Sequence, residues 1–213
     1  MKKKDWNSHY RKNKSVLFYP DENLVRLIAG IMKNNSGTGI KAVDIGCGSG
    51  RHLALLENSG IEFVCGTDYS MNALNICMDS GFPFMVNCDN YCLPFRDGIF
   101  DLAVAWGSLH YSSKDMMKKM LSEVKRIISE EGHLFATLRR DNDTYLKTGI
   151  HLGGNTWKTG LNDLTGTTVS FFSEEELKDI FSIFRSFSYG WMERTVIGDT
   201  SKIISHWIIS ARK

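Results

Sequence analysis

A chain of 213 residues, with 42% hydrophobic and 23% charged residues, is long enough to bury one sizeable core. The formal charge of +2 argues neither for nor against a nucleic-acid partner, and no apolar run approaches the length that spans a membrane. The five cysteines are odd in number, which favours reduced thiols and a cytoplasmic location over a disulfide framework.

Residues 1–20 form a polar, basic segment that nevertheless contains the aromatic residues Trp6, Tyr10, Phe18 and Tyr19. Terminal segments are disordered unless something ties them down, and aromatic side chains can do so. Two interpretations stay open: a solvated arm whose aromatic residues pack on the core, or a flap that folds over a bound ligand. The basic residues are more typical of a solvated segment than of a nucleic-acid-binding arm.

Hydrophobic spacing predicts alternating helices and strands from Asp21 to residue 138. Helices are expected from Asp21 to a stop at residues 34–37, over 51–58 and 71–79, and from Ser113 to a stop at Gly132. Strands are expected at 42–45, 61–66, 84–86, 99–106 and 133–138. This alternation is typical of a three-layer α/β sandwich around a mostly parallel sheet.

Residues 139–170 contain polar residues, glycine and threonine without a clear period, which predicts a long loop or lid. A capping box at 173–176 begins a further helix. Residues 186–196 and 202–211 then predict two strands joined as a hairpin at the sheet edge. We expect residues 1–213 to form a single domain.

The stretch from Ala42 to His52 predicts a buried strand, a glycine turn and the start of a helix. Gly46, Gly48 and Gly50 lack a Cβ, so the backbone can turn sharply and a ligand can lie against it. A helix that opens on such a turn presents free backbone N–H groups. The stretch therefore predicts a nucleotide-type cradle.

Polar residues follow the other predicted strands at their carboxyl ends, which is where ligands of parallel α/β sheets bind. Asp68 follows the second strand, Asp89 and Asn90 follow the third, and His110 follows the fourth. Asp68 can accept hydrogen bonds from both ribose hydroxyls of a nucleotide. Asp89, beside Asn90, can accept one from an adenine amine.

Two cofactors compete for this cradle. A nicotinamide dinucleotide motif would have glycine at the position of Arg51, whereas a ribose-binding role for Asp68 fits either cofactor. S-adenosylmethionine has a ribose, an adenine and an amino-acid tail, and Asp44 can face the ammonium of that tail.

The same residues resemble the class I S-adenosylmethionine-dependent methyltransferases. The matching segments are 43–50 for the first motif, 66–70 for the ribose-binding acid, 88–95 for the adenine loop, 100–104 for the fourth strand, and 121–134 for the following helix and fifth strand. The resemblance covers residues 41–138 in one register. It implies a Rossmann-like, seven-stranded sheet whose last strand runs antiparallel, consistent with the terminal hairpin.

The resemblance also implies the roles of the site residues. The expected cofactor-binding residues are Asp44, Gly46, Cys47 and Gly48 at the methionine end, Asp68 and Tyr69 at the ribose, Asp89 and Asn90 at the adenine, and Trp106 and Gly107 near the sulfonium. Metal-dependent methylation of catechols needs acids after the fourth and fifth strands, and the fourth supplies none. We therefore expect no metal.

Methyl transfer from a sulfonium is an in-line displacement that mainly requires placement of the acceptor. His110 is the candidate base because imidazole titrates near neutral pH, although a purely structural role stays open. Tyr10 and Tyr111 are candidate walls of the acceptor site, and Arg139 is a candidate ligand for an acidic substrate.

The acceptor class is approached by elimination. Residues 106–109 are Trp-Gly-Ser-Leu, unlike the Asn-Pro-Pro-Tyr used to methylate nucleic-acid bases, and no proline precedes a cysteine. A nucleic-acid acceptor is therefore disfavoured, and a small metabolite or glycan-type acceptor of methyl at oxygen or nitrogen is expected. The alternatives are an NAD-dependent oxidoreductase and a non-catalytic S-adenosylmethionine-binding module.

Overall fold

The computed structural model describes residues 4–12, 16–34 and 39–213. The helices in this part are α1 (Lys4–Arg11), α2 (Glu22–Asn34), α3 (Arg51–Asn58), α4 (Met71–Asp79), α5 (Lys114–Ile127) and α6 (Glu174–Phe181). The strands are β1 (Lys41–Ile45), β2 (Phe63–Asp68), β3 (Met85–Asn87), β4 (Phe100–Ala105), β5 (Ile128–Arg140), β6 (Ile150–Gly153), β7 (Thr156–Lys158), β8 (Thr168–Phe172), β9 (Ser186–Val196) and β10 (Asp199–Arg212). The predicted stop of α2 at 35–37, and residues 1–3 and 13–15 of the N-terminal segment, lie outside the described residues.

The main sheet has the order β3-β2-β1-β4-β5-β10-β9. The first five strands pair in parallel, β10 runs antiparallel to β5, and β9 pairs antiparallel with β10. This arrangement confirms the predicted Rossmann-like sheet with an antiparallel terminal hairpin.

Helices cover both faces of the sheet. On one face, α2, α3 and α4 bury side chains such as Leu24, Leu53 and Leu74. On the other, α5 and α6 bury side chains such as Leu121 and Phe181. The central strands are buried on both faces, which explains why they are nearly continuous apolar runs.

Residues 139–170 differ from the expected long loop. Strand β8 extends the sheet by pairing in parallel with the end of β5, while β7 pairs antiparallel with β8 and β6 with β7. A 3₁₀ turn at Asn162–Leu164 precedes β8. Strands β6 and β7 have four and three residues, and every residue of β6 is exposed, so neither has the alternating apolar pattern that predicts a strand.

The boundary between α5 and β5 also differs from the prediction. Helix α5 ends at Ile127 rather than at Gly132, and β5 begins at once. The β4–β5 register shifts between Phe100 and Leu102, so the intervening residues of β5 bulge out. A Cβ at Gly132 would lie 2.8 Å from the Ser129 carbonyl oxygen, so this glycine serves a tight bulge and not a helix end.

Helix α1 is tied to the first turn of α4. The Ser70 hydroxyl donates to Asn7 Oδ1 (2.8 Å). The side-chain Nδ2 of Asn72 donates to the backbone carbonyl oxygen of Asn7 (2.7 Å). Ser70 is also the N-cap of α4, because its Oγ accepts the N–H of Ala73 (3.3 Å). Within the described ranges, no helix is both long and apolar enough to cross a membrane.

Alanine substitution at two helix caps separates the two roles of Ser70. Ser70 and Ser173 both accept an N–H three residues on, at 3.3 Å. Each change to alanine should lower the free energy of unfolding by about 1 kcal/mol in urea titrations. Only Ser70→Ala removes a bond to α1, so it alone should speed amide hydrogen exchange in α1. Equal exchange of α1 in Ser70→Ala and Ser173→Ala would contradict the anchoring role.

Candidate functional site

The glycine turn after β1 has a backbone that only glycine adopts readily. Gly46 and Gly48 have φ values of +70° and +56°. A Cβ at Gly46 would lie 2.5 Å from the Cβ of Ser108, and a Cβ at Gly48 would overlap the Tyr10 hydroxyl. The turn is thus approached closely by the loop after β4 and by α1.

Asp68 holds the glycine turn in place from the end of β2. Its Oδ2 accepts the N–H of Gly48 (3.0 Å) and its Oδ1 accepts the N–H of Ser70 (2.8 Å). The side chain is buried, and burial raises the pKa of its carboxyl although these backbone N–H groups favour the charged form. One carboxylate therefore joins β2, the glycine turn and the cap of α4.

The first of two cavities at this edge of the sheet has a volume of about 380 Å³, and we call it the acidic cavity. Its lining includes Asp68, Tyr69, Asp89 and Asn90. The two acids predicted from neighbouring strands thus line one space. Met116 and Met120 of α5 also line it.

The second cavity, the histidine cavity, has a volume of about 250 Å³. Its characteristic side chains are His52, His110, His206, Trp106 and Arg139. The residues that line both cavities are Trp6, Tyr10, Gly46, Gly107 and Tyr111. The two spaces therefore adjoin each other at the glycine turn.

Every predicted site residue except Asp44 lines at least one of the two cavities. Cys47, Gly48 and Trp106 line the histidine cavity, and Gly107 lines both. Three neighbouring strand ends and the glycine turn bring these residues together, as the positions after each strand predicted.

Asp44 is buried behind the turn and is only 1% exposed. Burial raises its pKa from 3.8 to about 7, the Arg51 charge lowers it, and the Asp68 charge raises it. Its Oδ2 has no hydrogen-bond partner in the described part of the chain. A buried carboxyl with an unused oxygen is suited to a nearby cation.

His110 is buried in the wall of the histidine cavity. Its Nδ1 lies 3.5 Å from the Thr137 carbonyl oxygen, and its Nε2 has no hydrogen-bond partner among residues 4–12, 16–34 and 39–213. Burial, followed by the charges of Arg139 and His206, lowers the pKa of His110 well below 6.5. The imidazole is therefore neutral near pH 7, rather than titrating there as the sequence argument assumed.

His52 and His206 also line this cavity but were not predicted as site residues. Burial is the main cause that lowers the pKa of each to about 3. His52 Nε2 has no hydrogen-bond partner in the described structure. Strand pairing places His206 opposite Arg139, a relation visible only once β10 is aligned with β5.

Arg139 and Arg140 point to opposite faces of the sheet, as neighbouring strand residues do. Arg139 lines the histidine cavity, and its Nη1 donates to Asp143 Oδ2 (2.6 Å). The Arg140 guanidinium lies 5.1 Å from the ring centre of Trp191 and 4.5 Å from that of Trp207. Arg139, the residue predicted at the site, thus lines the cavity, and Arg140 does not.

Helix α1 covers both cavities with aromatic side chains. The rings of Trp6 and Tyr111 meet edge to face with centres 5.0 Å apart, and Tyr10 is 9% exposed. The segment is thus packed on the site, while the flap hypothesis, which requires movement, stays a prediction. Within the described residues, no group of three or more His, Cys, Asp or Glu side chains is arranged to bind a metal ion.

Comparison with known proteins identifies the central segment. A family model described as a methyltransferase domain matches residues 43–136. The mouse protein named probable tRNA methyltransferase 9B is 36% identical over 97 residues, which are 45% of this chain and 21% of that protein. The chain therefore spans about a fifth of the length of this curated relative.

Two solved structures share the fold. A methyltransferase from Methanosarcina mazei, described as S-adenosylmethionine-dependent, has a TM-score of 0.67 and 21% identity, over 86% of this chain and 96% of that one. The second is the 1,6-didemethyltoxoflavin-N1-methyltransferase of Burkholderia thailandensis, solved with 1,6-didemethyltoxoflavin and S-adenosylhomocysteine. It has a TM-score of 0.68 and 19% identity, over 99% of this chain and 86% of that one. The matched residues 43–136 contain the glycine turn, Asp68, Asp89 and His110, so the part of the chain that holds the site is similar to a methyltransferase domain.

Proposed function

We propose that this protein transfers a methyl group from S-adenosylmethionine to an oxygen or nitrogen of a small-molecule acceptor. The observation that carries the proposal is the junction of two chemically different cavities at Gly46 and Gly107. One contains carboxylates suited to a nucleoside, and the other contains neutral imidazoles suited to a polar acceptor. A methyl group held at the junction faces the second cavity.

The residues present fit the cofactor. Asp68 would bind the ribose, and Asp89 with Asn90 would bind the adenine in the acidic cavity. The methionine end would lie on the glycine turn, where side chains at Gly46 or Gly48 would collide with Ser108 or Tyr10. The unused Oδ2 of Asp44 supplies negative charge behind this end.

The main task of the residues that line the histidine cavity is to position the methyl acceptor. S-adenosylmethionine supplies, when bound, a methyl group on a sulfonium whose leaving group is neutral. His110 has an unpartnered Nε2 without accessible surface, which would accept the proton of an acceptor hydroxyl or amine after a rotation of the ring. Trp106 and Tyr111 exclude water, and the volume of about 250 Å³ favours a small acceptor.

A nucleoside in tRNA is the second candidate acceptor, because a relative 36% identical over part of this chain is named a probable tRNA methyltransferase. Binding tRNA would require phosphate contacts from lysine and arginine. The histidine cavity lies under α1, so a tRNA base would have to enter past that helix. Because α1 restricts the entry of a tRNA base, we propose a small molecule as the acceptor in preference to tRNA.

Ligand-dependent melting temperature tests the cofactor. S-adenosylhomocysteine should raise the melting temperature and NAD should not. Asp68→Ala should remove the effect, because it loses charge-assisted hydrogen bonds worth about 1.5–3 kcal/mol. The exposed Asp79 on α4 provides the control Asp79→Ala, which should behave as the wild type. Stabilisation by NAD alone would overturn the proposal in favour of an oxidoreductase.

Methyl transfer assays then separate the acceptor classes. Radiolabelled S-adenosylmethionine should label members of a small-metabolite panel and leave total tRNA unlabelled. Labelled tRNA would favour the second candidate. Cofactor binding without transfer to either substrate set would favour a non-catalytic binding module.

The affinity for S-adenosylmethionine should increase with pH because of Asp44. A ligand ammonium favours the charged carboxylate, so a carboxyl with a pKa of about 7 must lose its proton on binding. The Kd should therefore fall as the pH rises from about 5.5 to about 8. Calorimetry should show that the Kd of the Asp44→Asn variant depends less on pH. A smaller pH dependence should remain, because the pKa of Asp68 is also raised.

Methylthioadenosine, which lacks the amino-acid tail, is the matched ligand for this experiment. Its Kd should change much less with pH than that of S-adenosylmethionine. Identical pH profiles for the two ligands would contradict the assigned place of Asp44.

His110→Ala should lower kcat by about a hundredfold with an acceptor that the wild type methylates, because the proton acceptor is lost. The Kd of S-adenosylhomocysteine should stay unchanged. His151→Ala is the control, because His151 is exposed and lines neither cavity. Wild-type turnover by His110→Ala would make His110 structural.

A further inference from the structure

We infer that the acceptor carries a carboxylate group, and that Arg139 binds this group in the histidine cavity. The inference rests on the proposed function, because it assigns the substrate class of the same acceptor site. It depends on three features of the cavity: the orientation of Arg139, the absence of acids from the lining, and the arrangement of the uncharged rings.

Arg139 is a buried cation held ready for a ligand. It is 7% exposed and lines the histidine cavity. Its Nη1 donates to Asp143, while its Nε is buried without a hydrogen-bond partner in the described residues. The Nε atom has no accessible surface, so a carboxylate in the cavity would bind the terminal N–H groups of the guanidinium that do not face Asp143.

Asp143 fixes Arg139 from outside the cavity. Its Oδ2 also accepts the N–H of Ser205 (3.0 Å), and its Oδ1 accepts the N–H of Leu146 (3.2 Å). Asp143 is fully buried and does not line the cavity. It is therefore a positioning residue that leaves other N–H groups of the guanidinium for a planar anion, the shape that arginine binds best.

The described lining of the cavity contains arginines and no acids, while the acids nearest to these arginines, Asp143 for Arg139 and Asp21 and Asp44 for Arg51, lie outside the lining. The described residues that line it include Arg51 and Arg139 but no aspartate or glutamate. The acidic cavity has the opposite composition, with Asp68 and Asp89 and no lysine or arginine in its described lining. An acceptor with a carboxylate would therefore be held in the histidine cavity and repelled from the nucleoside side.

The remaining polar groups are uncharged rings. His52 and His110 each have an Nε2 without a partner in the described structure, and His206 lies 5.9 Å from His110 between ring centres. Because both Nε2 atoms lack accessible surface, these imidazoles contribute uncharged ring surface to the cavity wall. The aromatic walls at Trp6, Trp106 and Tyr111 suit a compact, partly apolar body.

Benzoate and its neutral isostere benzamide are suitable probes, because both are small and planar. Calorimetry on the protein saturated with S-adenosylhomocysteine should show benzoate binding at least about tenfold more tightly than benzamide. Arg139→Met should weaken benzoate binding by about tenfold or more. Arg140→Met, on the opposite face of the same strand, should bind benzoate as the wild type does.

Three results would overturn the inference: no binding of benzoate to the wild-type complex, equal binding of benzoate and benzamide, or unchanged benzoate binding by Arg139→Met. Arg139→Met could fail to fold because Asp143 is left without its cation. In that case the double variant Arg139→Met/Asp143→Asn, which removes both charges, takes the place of the single variant in the binding experiment. If the wild-type protein does not bind S-adenosylhomocysteine at all, the proposed function itself is refuted. Failure of the proposed function can therefore be distinguished from failure of the carboxylate inference.

Discussion

The carboxylate of Asp68 is the contact on which the rest of the site depends. It accepts an N–H from Gly48 in the turn and an N–H from Ser70 at the start of α4. Ser70 in turn bonds to Asn7 of α1. The acid that the sequence suggests for ligand recognition therefore also fixes the shape of the surface on which the ligand lies. Its burial is tolerated because backbone N–H groups stabilise the charge.

The site divides its polar groups by charge. Carboxylates lie towards β2 and β3, whereas the cavity near β5 and β10 contains histidines kept neutral by burial and by the Arg139 charge. Under the proposed function, this separation would orient a cationic cofactor and a polar acceptor relative to each other.

Local patterns in the chain predicted the central part of the fold and most of the site. The strand, glycine turn and helix around Gly46–Gly50, the cap at Ser70 and the acids after β2 and β3 are all set by neighbours in sequence, which is why they could be recognised. His52 was visible at the start of α3, but nothing local shows that its ring faces a cavity. The position of His206 at the site depends on how β10 aligns with β5, which no local pattern specifies. The short strands β6 and β7 could not be predicted from the sequence for a different reason. They bury few side chains, so their sequences lack a periodic hydrophobic pattern.

The position of Tyr10 has a consequence for the order of events. Its hydroxyl occupies the space directly against Gly48, on the side where a side chain is forbidden. A molecule that lies flat on that backbone must first push the phenol ring aside, and the ring is carried by α1. Binding of a ligand on this backbone would then require α1 (Lys4–Arg11) to move, so the rate of that movement would limit how often a bound ligand exchanges.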